Sequence, residues 1–373
     1  MDLDEAASIV SVSPSATGAE LNEFLSKRGL MFGGGHCPDV GLGGFLLQGG
    51  MGWNCKNWGW ACEQVAAIDV VTATGDILHC NSTCNSDLLW AARGAGPGFP
   101  AVVLRFHLRV RKVFAHMLSS AFIYPISQYR DVMKWVLEIA PLYGRDTEIV
   151  AVSVTPEGMD KRCIVPLFLT FQDNEENAKA ALADANRSRP EGFITEVVNK
   201  PTSLAAEYRD QANANPPGYR FAASNAYIKN DADVVSVLEE AFTKPLSRES
   251  FALYFAMSPC SRKPLPDMAL SMQTDHYFAL YSIWKSKEDD LTCKRLARDI
   301  MLGIEAHAEG AYLGDADFQV RKTRFWTDEC ATKLMDLRRK WDQQGVICGY
   351  LDVGDQSGTA GLANVSEWCE EKW

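Results

Sequence analysis

The stretch Gly33–Trp53, GGGHCPDVGLGGFLLQGGMGW, carries nine glycines, at positions 33, 34, 35, 41, 43, 44, 49, 50 and 52. Glycine loses more backbone freedom on folding than any other residue, so such density constrains what the chain can become. Either the backbone approaches something closely here, or it turns repeatedly through φ > 0. Phe45, Leu46 and Leu47 interrupt the run, which excludes a flexible linker. Two arrangements fit: a rigid glycine-lined wall against a flat ligand, and a series of tight turns between short strands.

The chain has 373 residues, enough for two domains. A net charge of −11 disfavours nucleic acid and anionic membranes as partners. No apolar run is long enough to span a bilayer, and the opening MDLDEAASIV lacks the pattern of a secretion signal, so a cytoplasmic protein is expected. Eleven cysteines are scattered without a CxxC pair, the nearest spacing being Cys80 and Cys84. They read as buried reduced thiols, and no metal site is expected. Glycosylation-type tripeptides begin at Asn81, Asn186 and Asn364, and without a signal peptide they carry little weight.

Taken in order, Ala6–Val12 alternates weakly, as a short strand does. Ser15 or Thr17 can cap a helix ending at Gly29. After the glycine stretch comes a loop with three tryptophans, Trp53–Gln64. Val65–Val71 and Ile77–Cys80 read as strands around a turn, and Ser86 caps a helix to Arg93. A second glycine-rich loop, Gly94–Gly98, leads into Leu104–Val110, where apolar residues alternate with Arg105, His107 and Arg109. His107 on the polar face reads as a solvated histidine. Beyond Lys112 glycine thins out. Helices over 131–140, 175–184, 231–242 and 289–307 then alternate with strands over 149–154, 163–171, 220–228, 251–257 and 276–284. This pattern predicts an α+β layer, an antiparallel sheet covered by helices on one side. A helix over Asp328–Trp341 and a last strand over Gly345–Leu351 close the chain.

Two common glycine motifs fail. A dinucleotide fingerprint starting at Gly41 finds Gly43 but has Leu46 where its third glycine belongs. No glycine-lysine-serine/threonine triplet follows, so there is no P-loop. The segment instead resembles the flavin-binding core of the vanillyl-alcohol-oxidase superfamily, in its berberine-bridge-enzyme-like branch. The matching positions are Cys37, Val40-Gly41, Gly43-Gly44 and Gly49-Gly50-Met51-Gly52. The likeness continues through Trp58-Gly59, Val65, Ile68-Asp69-Val70-Val71-Thr72-Ala73 and Gly75, then Asp87-Leu88, Trp90-Ala91, Arg93-Gly94 and Gly96. It extends more weakly to Gly349-Tyr350-Leu351.

The resemblance implies a PCMH-type FAD-binding domain over 1–112, of which the second subdomain is present and the first largely missing. It further implies an α+β substrate domain over 113–325 and a C-terminal segment, 326–373, returning to the FAD domain. The missing first subdomain normally supplies a loop that cradles the cofactor's pyrophosphate. FAD contacts are expected from Val40, Gly41, Gly43, Gly44, Gly49, Gly50, Gly52, Trp53, Gly59, Val65 and Val70, and Gln48 could reach the flavin edge. Side chains at 43, 44, 49, 50 or 52 are expected to collide with the cofactor. Cys37 matches the cysteine that can form a thioether to carbon 6 of the isoalloxazine, through its thiolate; the alternative is an unlinked thiol beside the flavin. His36 is read as a loop residue and not as a second attachment point.

The implied reaction removes hydride from a C–H next to oxygen or nitrogen of a small organic molecule, a secondary metabolite, with O2 reoxidising the flavin. The family's tyrosine-x-asparagine-tyrosine motif corresponds to Tyr312-Leu313-Gly314-Asp315, so the base tyrosine is replaced by Asp315. Asp315 can serve as base if burial raises its pKa; the alternative is a solvated or capping aspartate in an acidic turn. Spacing of two puts Tyr277, Ala279 and Tyr281 on one strand face, with room over Ala279 for a ligand, though ordinary packing accounts for the pattern equally. Tyr219, Asn225 and Tyr227 form a second polar-aromatic group. The alternative to an FAD oxidase is a relative that no longer uses FAD: a cyclase, a binding protein or an inactive fragment.

Overall fold

The computed structural model describes residues 1–347, apart from 215, 216, 245, 246, 319 and 322. The expected last strand over Gly345–Leu351 lies largely outside the described residues, as do Gly349-Tyr350-Leu351 and Asn364.

The first part of the chain builds an antiparallel five-stranded sheet. Its spatial order is Asp2–Asp4, Ile9–Val12, Ala101–Arg109, Val65–Thr72 and Ile77–Cys80. One face buries Val10, Ile68, Val70, Phe106 and Leu108 against Leu21, Leu25 and Leu88 from two helices. The helix expected after Thr17 spans Gly18–Ser26. Thr17 Oγ1 accepts the Glu20 N–H and the Glu20 carboxylate accepts the Thr17 N–H, a reciprocal cap of about 1 kcal/mol. The helix Ser86–Ala91 is entered through Asn85, not capped by Ser86; Asn85 takes the left-handed conformation that asparagine tolerates.

Two details of the alternating strand differ from expectation. Leu104 is 44% exposed, because the pairing slips between Asp69–Arg105 and Val70–Val103 and leaves it in a bulge. His107 is also more than a solvated histidine: Nε2 lies 3.0 Å from Asp69, Nδ1 lies 2.8 Å from Ser11 Oγ, and the same aspartate holds His79 at 2.6 Å.

The second sheet has eight antiparallel strands in the order Thr195–Thr202, His116–Pro125, Cys163–Gln172, Thr147–Val154, Phe251–Ala256, His276–Trp284, Arg220–Ile228 and Ala308–Gly310. Helices Tyr129–Ile139, Glu175–Ser188, Val234–Thr243 and Asp290–Glu305 cover one face, packing on Phe122, Ile149, Phe168, Phe278 and Leu280. The strands His116–Pro125 and Thr195–Thr202 and the helix Leu204–Ala214 were not foreseen. The first buries Ser120 where an apolar residue would signal a strand, and the second is an edge strand, largely exposed and interrupted by Pro201.

The opposite sheet face meets the glycine segment. Met51, Cys55 and Trp60 pack there on Tyr227, Phe255, Tyr277 and Tyr312. The helix Asp328–Trp341 returns to the first sheet: Arg338 donates to Gly98 C=O at 3.1 Å, and Lys340 and Trp341 reach Asp87 at 2.6 and 2.9 Å. No helix among the described residues is long and apolar enough to cross a membrane.

Candidate functional site

The glycine segment is a folded-back loop holding one short helix, Leu42–Leu47. Gly35 bridges Gly52, and the Trp53 N–H donates to Gly34 C=O at 2.9 Å. Gly49 and Gly50 carbonyls accept from Cys62 and Ala61 at 2.9 and 2.8 Å. A methyl group at Gly52 would lie 2.1 Å from Gly33 O, at Gly50 2.8 Å from Ala61 Cβ, and at Gly43 3.1 Å from Pro14 Cβ. At Gly59 it would lie 2.2 Å from Glu63 Oε1. At Gly50, Gly52 and Gly59 the chain's own packing already calls for glycine, whatever a cofactor adds, whereas at Gly43 Pro14 would have to give by a few tenths of an ångström. A methyl at Gly49 would likewise meet Leu270 at 3.2 Å and Tyr312 at 3.4 Å. Gly44 is different: it is exposed, and nothing lies within 4 Å of its added methyl. Gly41 has only Pro14 O at 3.7 Å. Val65 and Val70 are core residues, 1% and 0% exposed, and their side chains present nothing to a ligand.

Across from this segment, Asp315 accepts the Tyr277 hydroxyl at 2.5 Å and also hydrogen-bonds Tyr281. The reading of Asp315 as a solvated or capping aspartate therefore falls. Burial pushes its carboxyl above the ordinary range, while the two tyrosine hydrogen bonds and the nearby His36 hold it down. Burial, with Asp315 next in effect, pushes both tyrosines well above their ordinary value, so they are neutral donors. The turn carrying Asp315 is held by Asn225, whose amide donates to Tyr312 C=O and accepts the Tyr312 N–H, both at 2.7 Å. Gly314 is required there, since a Cβ would lie 2.5 Å from the Tyr312 ring. Tyr312 itself accepts the N–H groups of Gly50 and Met51 at 3.0 and 3.2 Å. Its hydroxyl braces the glycine turn and is not directed to Asp315.

Cys37 belongs to the same recess. Burial, then the negative charges of Asp315 and Asp39, raise its thiol to about 11, so it carries its proton near neutral pH. The ready thiolate expected from the sequence is not what this surrounding favours. Val40, 37% exposed, stands at the rim. Trp53 lies behind His36, ring centroids 4.4 Å apart, and is 3% exposed. Glu148 was missed by the sequence reading. It is 2% exposed, accepts the Asn54 N–H at 2.5 Å and lies 3.9 Å from His36 Nε2. Its signal was a lone charge opening an otherwise apolar strand, Thr147–Val154. Lys56 is wholly buried beside it, donates to Thr147 C=O at 3.0 Å, and is lowered to about 8 by that burial against the pull of Glu148. The amide of Asn54 is fully buried and finds no partner for either atom in the protein. An unpaired buried amide is costly, but with no accessible surface it offers a ligand no approach in this structure. The positions left open are Cys37, Val40 and the uncovered side of Gly44, a thiol and a side-chain-free backbone that fit FAD.

Comparison with known proteins agrees with that geometry. Residues 1–81 match the FAD binding domain family. The chain is 38% identical to the FAD-linked oxidoreductase ptmO of Penicillium ochrochloron over 353 residues, covering 94% of this chain and 78% of that protein. It is likewise 38% identical to the FAD-linked oxidoreductase penO of Penicillium crustosum, with the same coverage. Among solved structures, Physcomitrella patens BBE-like 1 superposes with a TM-score of 0.79 at 16% identity, covering 92% of this chain and 77% of that one. A sequence shared with ptmO over most of both lengths makes this chain a member of the FAD-linked oxidoreductases, with the fold seen in the BBE-like 1 structure.

Proposed function

We propose that this FAD-dependent oxidoreductase oxidises a carbon bearing oxygen or nitrogen in a small organic molecule, with Asp315 as the proton acceptor and O2 as the final oxidant. FAD, when bound, supplies the hydride acceptor. The observation that carries the reading is the Asp315 carboxyl held by Tyr277 at 2.5 Å and by Tyr281, in the recess that also contains Cys37. Asp315 takes the substrate proton at one carboxylate oxygen, and the two neutral tyrosines orient it and stabilise its charge. Asn225 and Gly314 keep the carboxylate at that height above the sheet. Tyr312 keeps the Gly49–Gly52 turn in place, and Trp53 and Phe255 wall His36 at ring distances of 4.4 and 6.3 Å. Cys37 and the open side of Gly44 would hold the flavin, with Cys37 a candidate anchor through its sulfur.

The test is anaerobic flavin bleaching by substrate, followed by readmission of air. Asp315→Asn is expected to slow bleaching by about 10²–10⁴-fold with the flavin spectrum unchanged. Undiminished bleaching in that variant removes Asp315 from the reaction, and bleached flavin that stays reduced in air removes O2.

A further inference from the structure

The central strands of the eight-stranded sheet carry long apolar runs on both faces, although helices cover only one. An antiparallel sheet that faces water on one side alternates apolar with polar residues. Here the segments 150–154, 163–167, 251–255 and 277–283 contain no charged residue at all. On the face away from the helices, Val150, Val152, Val165, Leu167 and Leu253 are only half-buried despite lying on central strands. Their register makes one continuous patch: Leu253 opposes Val152, Val152 opposes Val165, and Val150 opposes Leu167. The glycine segment covers one end of this face, at Phe255 and Tyr277. The patch runs directly into the site, because Phe251 stacks on Tyr281 with centroids 4.5 Å apart and planes inclined by 20°. Tyr281 in turn bonds Asp315.

The geometry points to an uncharged, hydrocarbon-rich substrate whose carbon skeleton lies on Val150, Val152, Val165, Leu167 and Leu253 while its single oxidisable end reaches Asp315. The inference rests on the proposed role of Asp315 for the identity of the reacting end. An oligosaccharide is excluded by the same surface. Each sugar hydroxyl brought onto it would exchange water for side chains that neither donate nor accept, and burying such a group unpaired is unfavourable. A hydrocarbon skeleton gains on the same floor, by removing apolar area from water on both partners.

Isothermal titration of the FAD-loaded protein with testosterone and with cellotetraose, as probes of the two chemistries, tests the inference without any turnover. Testosterone should bind and cellotetraose should not. Val152→Asp should weaken testosterone binding by about tenfold or more, and the near-isosteric Val152→Thr by several-fold with an unchanged melting temperature. Binding of cellotetraose in preference, binding of neither probe, or testosterone binding indifferent to both substitutions overturns the proposal. Asp315→Asn separates the two readings. It should bind testosterone as the parent does, so a variant that keeps full turnover with the binding pattern intact sinks the role of Asp315 and leaves the substrate class standing.

Discussion

Two glycines eight residues apart, Gly44 and Gly52, answer different questions, and substituting each separates packing from cofactor contact. At Gly52 an added Cβ would meet Gly33 O at 2.1 Å and Gly34 O at 2.6 Å. Both obstacles are backbone, so no side chain can swing aside. Relief requires parting the Gly35–Gly52 bridge and the 2.9 Å bond from Trp53 N–H to Gly34 C=O. Losing that bond with both groups inside the protein costs about 1–3 kcal/mol, and the overpacking adds about 1–3 more. Gly52→Ala should therefore lower the melting temperature by roughly 5 °C or more, with or without FAD. Gly44 is the contrast. It lies within the helix Leu42–Leu47, is exposed, and its Cβ meets nothing within 4 Å. Gly44→Ala should stabilise the cofactor-free protein by about 0.5–1 kcal/mol, the helix preference of alanine. If the open side of that helix is where FAD lies, the same substitution weakens FAD binding. Differential scanning calorimetry of both variants, with FAD titrated by flavin fluorescence, reads all four quantities. An unchanged melting temperature for Gly52→Ala refutes the close approach, and parental FAD affinity in Gly44→Ala refutes the cofactor on that side.

Further outcomes follow from the site. With Asp315 raised above the ordinary carboxylate range, kcat/KM should climb with pH through that elevated value, and Asp315→Asn should abolish the limb. The same raised value makes Asp315 favour the folded state below its unfolded pKa and lose that contribution as pH rises through the folded one. Asp315→Asn should thus melt higher than the parent at pH 8 and equally at pH 3, checked by calorimetry at both. Tyr312→Phe leaves the Gly50 and Met51 N–H groups without their acceptor and should cost about 1–3 kcal/mol, measured by urea unfolding, together with weaker FAD retention. Cys37→Ala should release its flavin on acid precipitation where the parent retains it; equal retention would remove Cys37 as the anchor.

The likeness that identified the cofactor was written in short local blocks, because glycine at a close approach and a strand-turn-strand of fixed length are properties of a few consecutive residues. The strands Ile77–Cys80, Arg220–Ile228 and His276–Trp284 were visible with their observed ends, since their bounding turns are sharp. Tyr277 and Tyr281 could be set on one face by a period of two. What the alternation could not say was which residue stood opposite them. Asp315 arrives from 34 residues beyond Tyr281, carried on a turn that Asn225 clamps by two hydrogen bonds. Its sequence neighbourhood is that of an ordinary acidic turn, so nothing local distinguishes a half-buried carboxylate bonded to Tyr277 from a solvated one.

The glycines divide along the same line. Sequence alone determined that Gly33–Trp53 must bring backbone close to something. Only the tertiary structure decided what that something is: at Gly52 another stretch of the same segment, at Gly50 the Ala61 turn, and at Gly44 open space. Composition registers that a side chain is forbidden, because the entropic cost of glycine must be justified somewhere. The identity of the obstacle depends on atoms brought together by folding, and those carry no signature in the order of the residues.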